Sequence, residues 1–143
     1  TYQSYIACTH LKPRSCNDCS ICTADGYFPR VICVSCERVA QSGRGATWSD
    51  KPEAANGGGC YNCHQINKAE VSYGNIGPSL WNYGKLRGYS KELITYTWNR
   101  INNSKAYNVC SNMPRFGHFN LLTEKQMQDV MALLLDPNSP INQ

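Results

Sequence analysis

The sequence lacks the features that mark several large protein classes. No apolar run approaches the roughly 18 residues of a membrane-spanning helix, so we expect no membrane span. There is no glycine-rich phosphate loop, and no segment keeps the apolar–polar alternation of paired strands. Charged residues make up only 17% of the chain, and the net charge of +4 accompanies no nucleic-acid-binding motif. These absences favour a helical protein without a nucleic-acid partner.

Cysteine, in contrast, is abundant and unevenly distributed. The chain has 9 cysteines among 143 residues, an odd number that cannot pair completely within one chain. Cys60 and Cys63 lie in the middle of the chain, and Cys110 stands alone. The other six fall within the first 36 residues, at Cys8, Cys16, Cys19, Cys22, Cys33 and Cys36. At least one cysteine must therefore have a role outside an intrachain disulfide.

The central pair belongs to a C-x-x-C-H motif, which is typical of covalent haem attachment. Cys60 and Cys63 have the spacing at which two thiols add to the two vinyl groups of one haem. His64, beside the second thiol, is then held under the iron as an axial ligand. The glycines at 57–59 allow the tight turn that a close approach of porphyrin to backbone requires. A chance C-x-x-C or a zinc pair is the alternative interpretation.

The downstream sequence favours the haem interpretation. Gly77-Pro78 follows His64 at a separation typical of class I c-type cytochromes, in which a proline carbonyl accepts the histidine Nδ1–H. An ordinary turn would also explain Gly-Pro. Met113, followed by Pro114, lies in a loop where helix is disfavoured and can supply a sixth ligand. Together these residues predict one covalently attached haem c, held by Cys60, Cys63, His64 and Met113, with Pro78 orienting the histidine.

Other side chains compete for the sixth position. Met127 and Met131 lie on a helical stripe and are explained by core packing. His10 and His118 are the spare histidines, and His118 is the stronger competitor because a bis-histidine haem needs only a small change of loop path. We favour Met113, since methionine–histidine ligation raises the reduction potential, as an electron acceptor requires.

Four helices are expected. The first covers about residues 32–47 with Val39 and Ala40 facing inward, and a short haem-bearing helix covers about 60–66. Ser90 is predicted to cap a third helix, and Thr123 with Gln126 has the pattern of a capping box before a fourth helix over 124–135. The inward positions of the last two helices are Ile94, Thr97, Trp98 and Ile101, and Met127, Val130, Met131 and Leu134.

These elements predict an all-α, class I cytochrome c-like domain over residues 37–143, with its first and last helices packed together. Residues 1–36 are predicted to form a cysteine-rich N-terminal extension. Covalent haem attachment is typical of an oxidising compartment, so we expect a periplasmic location and disulfides among these cysteines. A zinc or iron–sulfur site remains the alternative. Cys110 is predicted to bridge to the extension, to stay buried, or to pair with a partner.

From Gly43 to the C-terminus the sequence resembles the SoxX family, the monohaem subunits of SoxAX cytochromes. The residues that carry the resemblance are NGGGCYNCHQ at 56–65, GNIGPSL at 74–80, NMPRFGH at 112–118 and LLLDPNSP at 133–140. The methionine loop and the C-terminal tail are the specific parts, since the haem motif alone fits any c-type cytochrome. The cysteine-rich residues 1–36 depart from the family pattern.

The resemblance implies an electron-accepting subunit of an L-cysteine S-thiosulfotransferase. In that family a SoxA subunit with one or two haems carries the catalytic haem, and the complex couples thiosulfate oxidatively to a cysteine of the carrier SoxYZ. The electrons then pass to a small acceptor cytochrome. By this resemblance no residue of the present chain is catalytic. A free-standing periplasmic electron carrier is the alternative, and an interaction module that uses haem only structurally is the third.

Overall fold

The computed structural model describes residues 34–43, 49 and 51–143. Within them the secondary structure is entirely helical, without a strand, as predicted for an all-α protein. Single 3₁₀ turns cover Cys60–Asn62, Ser104–Ala106 and Pro140–Asn142. The α-helices are α1 (Val34–Gln41), α2 (Tyr83–Arg87), α3 (Lys91–Asn102) and α4 (Glu124–Leu135). No helix of the described residues is both long and apolar enough to cross a lipid bilayer.

Helix α4 forms the centre of the core and has the predicted bounds. Its N-terminus is closed by the predicted capping box, in which Thr123 Oγ1 accepts from the Gln126 N–H at 3.2 Å and Gln126 Oε1 accepts from the Thr123 N–H at 2.9 Å. The predicted stripe of Met127, Val130, Met131 and Leu134 is buried. Helices α1, α2 and α3 all pack against α4, so the expected pairing of the first and last helices is confirmed.

Helix α3 is also confirmed. Ser90 Oγ accepts from the Leu93 N–H at 3.2 Å, which satisfies one of the donors left free at a helix start. Thr97 and Ile101 are buried, and Ile94 and Trp98 are partly buried against the core. The face predicted from the spacing is therefore the face that packs.

Helix α1 is shorter than predicted. Its expected start at residue 32 lies outside the described residues, but its end lies at Gln41 instead of near residue 47. The chain leaves the helix because Gly43 packs against the backbone of Gly57, where an added Cβ would come within 2.1 Å of the Gly57 nitrogen. Ala40 is fully buried and Val39 packs against the core, as expected.

Two features of the C-terminal half were not predicted. Helix α2 has only five residues, too few to show a hydrophobic period. It is tied to the C-terminal tail by the buried side chain of Asn142, whose Oδ1 accepts from the Gly84 N–H at 3.1 Å. The Asn142 amide donates to the carbonyls of Leu134 and Asp136 at 3.1 and 2.8 Å. The tail therefore closes the end of α4 and fixes α2 beside it.

The division of the chain at residue 36 stays a prediction, and helix α1 crosses it. Cys36, which would be the last residue of the extension, is 3% exposed and belongs to the same core cluster as Met131 and Leu135. The last residue of the predicted extension is therefore packed into the helical core of the following residues.

Candidate haem site

The C-x-x-C-H motif forms one tight turn whose local bonds hold the two cysteines and the histidine together. Gly59 opens it with a φ of +54°, a conformation that glycine adopts without the strain of a side chain. The Cys60 carbonyl accepts from the N–H groups of both Cys63 and His64, at 3.1 and 2.9 Å. The turn therefore presents all three predicted haem-binding side chains from five consecutive residues.

The predicted helix over 60–66 is wrong beyond this turn. A helix would require the carbonyls of the motif to bond residues four positions ahead. Only the Cys60 carbonyl does so, whereas the carbonyls of Tyr61, Cys63 and Gln65 accept from the loop at 74–80, which returns alongside the motif. The pairs are Tyr61 with Gly74 at 3.2 Å, Cys63 with Gly77 at 2.8 Å and Gln65 with Leu80 at 2.7 Å.

Helices α1 and α4 hold the turn from behind. The Gly58 N–H donates to the Val39 carbonyl at 2.7 Å, and Gln126 Nε2 donates to the Asn56 carbonyl at 2.5 Å. Tyr61, between the two cysteines, is buried, and its hydroxyl donates to Glu37 Oε1 at 2.9 Å. Burial, with Glu37 next in effect, raises the pKa of Tyr61 and keeps this donor protonated.

Neither cysteine of the motif forms a disulfide. Burial raises the pKa of the Cys60 thiol to about 11, so its sulfur is neutral at pH 7. A thioether is neutral as well, and replacing the thiol by one places no charge in this apolar position. The donor set therefore fits covalent attachment of a porphyrin.

The Pro78 carbonyl sets the orientation of the His64 imidazole, the predicted iron ligand. Its Nδ1 lies 2.7 Å from the carbonyl oxygen of Pro78, the residue predicted for this contact. Nδ1 then carries the proton, and the lone pair of Nε2 is available to iron. Gly77 packs against the ring, where an added Cβ would lie 2.2 Å from His64 Cε1. The Gly-Pro pair thus supplies both the space for the ring and the acceptor that sets its tautomer.

The loop with Met113 is attached to the end of α3. The Phe116 and His118 N–H groups donate to the carbonyls of Ile101 and Asn102 at 3.2 and 3.0 Å. Carbonyls at the end of a helix have no partner within the helix, and the loop supplies one. The Met113 carbonyl accepts from the hydroxyl of Ser104 at 2.6 Å. These contacts bring a residue far from the motif in sequence back to the same core.

The two candidates for the sixth ligand have different surroundings. Met113 is partly buried and packs, like Cys60, against the core cluster. His118 is exposed and stacks edge-on against Phe119 with ring centroids 4.9 Å apart. Met127 and Met131 are buried core residues of α4, and His10 lies outside the described residues. The packing therefore favours Met113.

Sequence reasoning missed the residues that support these ligands. Tyr61 occupies a position at which the haem motif accepts any residue, and Ser104 lies in a polar stretch that shows no hydrophobic period. The only available signal was the spacing of Ser104 shortly after α3, which does not reveal burial.

The remaining described cysteines differ in exposure. Cys36 is a buried free thiol, and burial together with the Asp129 carboxylate raises its pKa to about 12. Cys110 is a free and exposed thiol. The other five cysteines of the predicted disulfide cluster lie outside the described residues. Among the residues that the structure does describe, no three His, Cys, Asp or Glu side chains come together as a metal site.

Comparison with known proteins identifies the family of the chain. Residues 44–136, more than half of the chain, match the family model "Cytochrome c". Over 85 residues, 59% of this chain, the sequence is 44% identical to an uncharacterised lipoprotein of Aquifex aeolicus (strain VF5). The chain spans 39% of that relative's length. The protein belongs to the cytochrome c family, with haem c as its covalently attached cofactor, and the family match supports a role in electron transfer.

Proposed function

We propose that this chain is the electron-accepting monohaem subunit of a SoxAX-type cytochrome. Its haem would be attached through Cys60 and Cys63 and ligated axially by His64 and Met113. The observation that carries this ligand set is the 2.7 Å contact between His64 Nδ1 and the Pro78 carbonyl, which frees Nε2 for iron. When bound, the haem iron supplies a reversible one-electron change between its ferrous and ferric states.

The residues of the chain provide attachment, orientation and an apolar environment. The neutral sulfur of Cys60 and the oriented ring of His64 would hold the cofactor. Met113 supplies a thioether from a loop that packs against the same core. A thioether ligand favours the reduced iron and raises the potential, which suits a subunit that receives electrons.

The assignment to thiosulfate oxidation rests on sequence similarity. It is supported by the methionine loop at 112–118 and the tail at 133–140, which resemble SoxX more specifically than the haem motif does. In the proposed reaction, thiosulfate and a cysteine thiol of a SoxYZ-type carrier form a sulfur–sulfur bond. One proton and two electrons are released, and a small acceptor cytochrome removes the electrons one at a time. The bond-forming site would lie in a SoxA-type partner subunit.

Covalent haem attachment supports a periplasmic location for this reaction. The relative from Aquifex aeolicus carries the name lipoprotein, which agrees with a place outside the cytoplasm.

Purification of the native complex tests the proposal. A stable heterodimer with a second haem protein is expected, and intact mass with the visible spectrum gives one haem on this chain. Addition of thiosulfate and the carrier protein should reduce that haem, and a carrier variant without its acceptor cysteine is the matched control. Isolation as a monomer that thiosulfate, carrier and candidate partner together fail to reduce would overturn the SoxAX assignment.

A free-standing periplasmic electron carrier is the second candidate. The family match favours it, because an electron carrier needs nothing beyond a haem domain. The same purification separates the two: the carrier is monomeric and exchanges electrons reversibly with other redox proteins without thiosulfate.

A further inference from the structure

We propose that Ser104 is a positioning residue that holds Met113 so that its thioether stays on the haem iron. The inference rests on the proposed ligand role of Met113. It concerns the backbone of the ligand residue, whose two polar groups are both bound by serine hydroxyls. Ser104 Oγ donates to the Met113 carbonyl at 2.6 Å, and Ser111 Oγ accepts from the Met113 N–H at 3.3 Å.

The bond from Ser104 is the stronger of the two. Ser104 is fully buried, whereas Ser111 is only partly buried. A serine hydroxyl has a single proton, and here that proton is committed to Met113. Hydrogen bonds that water cannot reach are electrostatically stronger than exposed ones. At 2.6 Å the contact is also short for a neutral hydroxyl and carbonyl.

Ser104 is itself held from several directions. Its carbonyl accepts from Arg100 Nη1 at 3.1 Å and from the N–H groups of Tyr107 and Asn108, both at 3.3 Å. The turn Ser104–Ala106 follows directly on α3, so the hydroxyl is fixed relative to a packed helix. A loop residue is thus attached to a packed helix through one side chain.

The other hydrogen bonds that attach the loop to α3 lie C-terminal to Met113. Phe116 and His118 bind the end of α3, but they lie three and five positions beyond Met113. Pro114 has no N–H and adds no backbone bond next to the ligand. Removal of the Ser104 hydroxyl would therefore leave the loop closed behind Met113 while allowing Met113 itself to move.

A thioether is a soft and neutral ligand that external nitrogen ligands can displace from ferric iron. The affinity of the oxidised holoprotein for imidazole therefore measures how firmly Met113 is held. We expect Ser104→Ala to raise that affinity roughly tenfold, the factor that corresponds to about 1.4 kcal/mol. The thioether–iron charge-transfer band of the oxidised protein should weaken in the same variant.

The matched control is Ser139→Ala. Ser139 is 4% exposed, and its hydroxyl is buried without a hydrogen-bond partner among the described residues. The same atom is deleted, but nothing is released at the ligand, so imidazole affinity and the band should stay at wild-type values. Equal imidazole affinity in the two variants overturns the proposal.

If Ser104→Ala does not yield holoprotein, a second variant tests the same proposal. Ser104→Cys keeps the shape of the side chain, with a somewhat larger sulfur, and replaces the hydroxyl by a weak donor. It should also raise imidazole affinity, and a wild-type value overturns the proposal.

Met113→Ala distinguishes failure of the ligand assignment of Met113 from failure of the positioning role of Ser104. If the charge-transfer band persists in Met113→Ala, the ligand assignment fails. If the band is lost there and Ser104→Ala matches its control, only the positioning role fails.

Discussion

The two sides of the haem site are built differently. The histidine side, residues 56–80, is held mainly by backbone hydrogen bonds among its own residues and to α1. The methionine side, residues 99–118, is attached through the side chains of Ser104 and Arg100 and through the carbonyls that end α3. One side therefore depends on the path of the chain, and the other depends on a few particular side chains.

The difference has a consequence for how each side tolerates substitution. Backbone bonds survive most changes of side chain, so the histidine side should be sensitive chiefly where the backbone packs too closely for a Cβ. A side-chain contact can be lost without moving the fold, so the methionine side should lose ligand binding before it loses stability. Equivalent substitutions on the histidine side and the methionine side test this difference.

The largest difference is expected for glycine to alanine. In Gly77→Ala the new Cβ would lie 2.2 Å from the His64 ring, which its bond to Pro78 holds in place. In Gly117→Ala it would meet the ends of two movable side chains, Asn102 Oδ1 at 2.0 Å and Met127 Cε at 3.0 Å. We expect losses in unfolding free energy of about 3 kcal/mol or more for Gly77→Ala and about 1 kcal/mol for Gly117→Ala.

Urea unfolding of the two holoproteins measures this difference, with the yield of attached haem as a second readout. An equal loss of unfolding free energy in Gly117→Ala and Gly77→Ala would contradict this difference between the two sides.

The next effect concerns Tyr61. Tyr61→Phe removes the donor to the Glu37 carboxylate, which ties the haem turn to α1. Because bonds to charged groups contribute more than neutral ones, we expect a loss of about 1.5–2 kcal/mol in unfolding free energy. The spectrum should be unchanged, since neither proposed axial ligand, His64 or Met113, contacts the Tyr61 hydroxyl. Chemical unfolding and the visible spectrum check the two parts separately.

Tyr83→Phe is the matched control for this prediction. The Tyr83 hydroxyl bonds Thr97 Oγ1 at 2.8 Å, a contact between two neutral groups. A second partner remains in both cases, since the Thr97 hydroxyl keeps the Leu93 carbonyl at 2.8 Å and Glu37 Oε1 keeps Asn67 Nδ2 at 3.1 Å. The cost of Tyr83→Phe should stay below about 1 kcal/mol. A cost for Tyr61→Phe no larger than that of Tyr83→Phe would contradict the role assigned to α1.

The sequence could predict the parts of the fold that have a local signature. Helix α4 and its cap follow from Thr123, Gln126 and an apolar period, and α3 follows from Ser90 and its inward face. The haem turn follows from its cysteine spacing, because covalent attachment leaves little freedom in the motif. In each case residues close in sequence determine the structure.

The parts it could not predict depend on contacts between distant residues. The early end of α1 comes from the approach of Gly43 to Gly57, and helix α2 depends on Asn142 from the tail. Ser104 supports Met113 only because the loop folds back onto α3. None of these contacts leaves a periodic or motif-like trace in the sequence.

A smaller effect is the pH dependence of stability, which we expect from Cys36 on the histidine side. On α1, which supports the histidine side, the pKa of Cys36 is raised from 9.0 to about 12. The unfolded thiol ionises first as the pH rises, so the stability is present below about pH 9 and is lost between pH 9 and 12. At pH 10 we expect the unfolding free energy to fall by about 1 kcal/mol. A thiol wholly shielded from solvent would lose about 1.4 kcal/mol, and solvent screening reduces this value. Urea unfolding from pH 8 to 10.5 measures it.

Cys36→Ala is the control for this dependence. Groups other than Cys36 titrate equally in both proteins, so the difference between the two pH profiles isolates the thiol. Tyr61, whose pKa is also raised, contributes with the same sign in both. Parallel profiles for the wild type and Cys36→Ala would show that the buried thiol is not responsible.

The smallest expected effect is on the methionine side and concerns Arg100. Its guanidinium donates to the Ser104 carbonyl at 3.1 Å and lies 5.9 Å from the ring centroids of both Tyr96 and Tyr107. Arg100→Gln should raise the imidazole affinity of the oxidised protein about threefold, or roughly 0.6 kcal/mol, since backbone N–H groups still hold the same carbonyl. Titration with imidazole measures the change.

Arg87→Gln is the matched control, because that guanidinium also covers a tyrosine ring, Tyr83 at 5.1 Å, but lies on α2 away from the loop. It should leave imidazole affinity unchanged. If both arginine variants bind imidazole equally, support of Met113 ends at Ser104 and does not extend into α3. If only Arg100→Gln binds more tightly, the methionine side is held by a chain of two side chains, whereas the histidine side is held mainly by backbone.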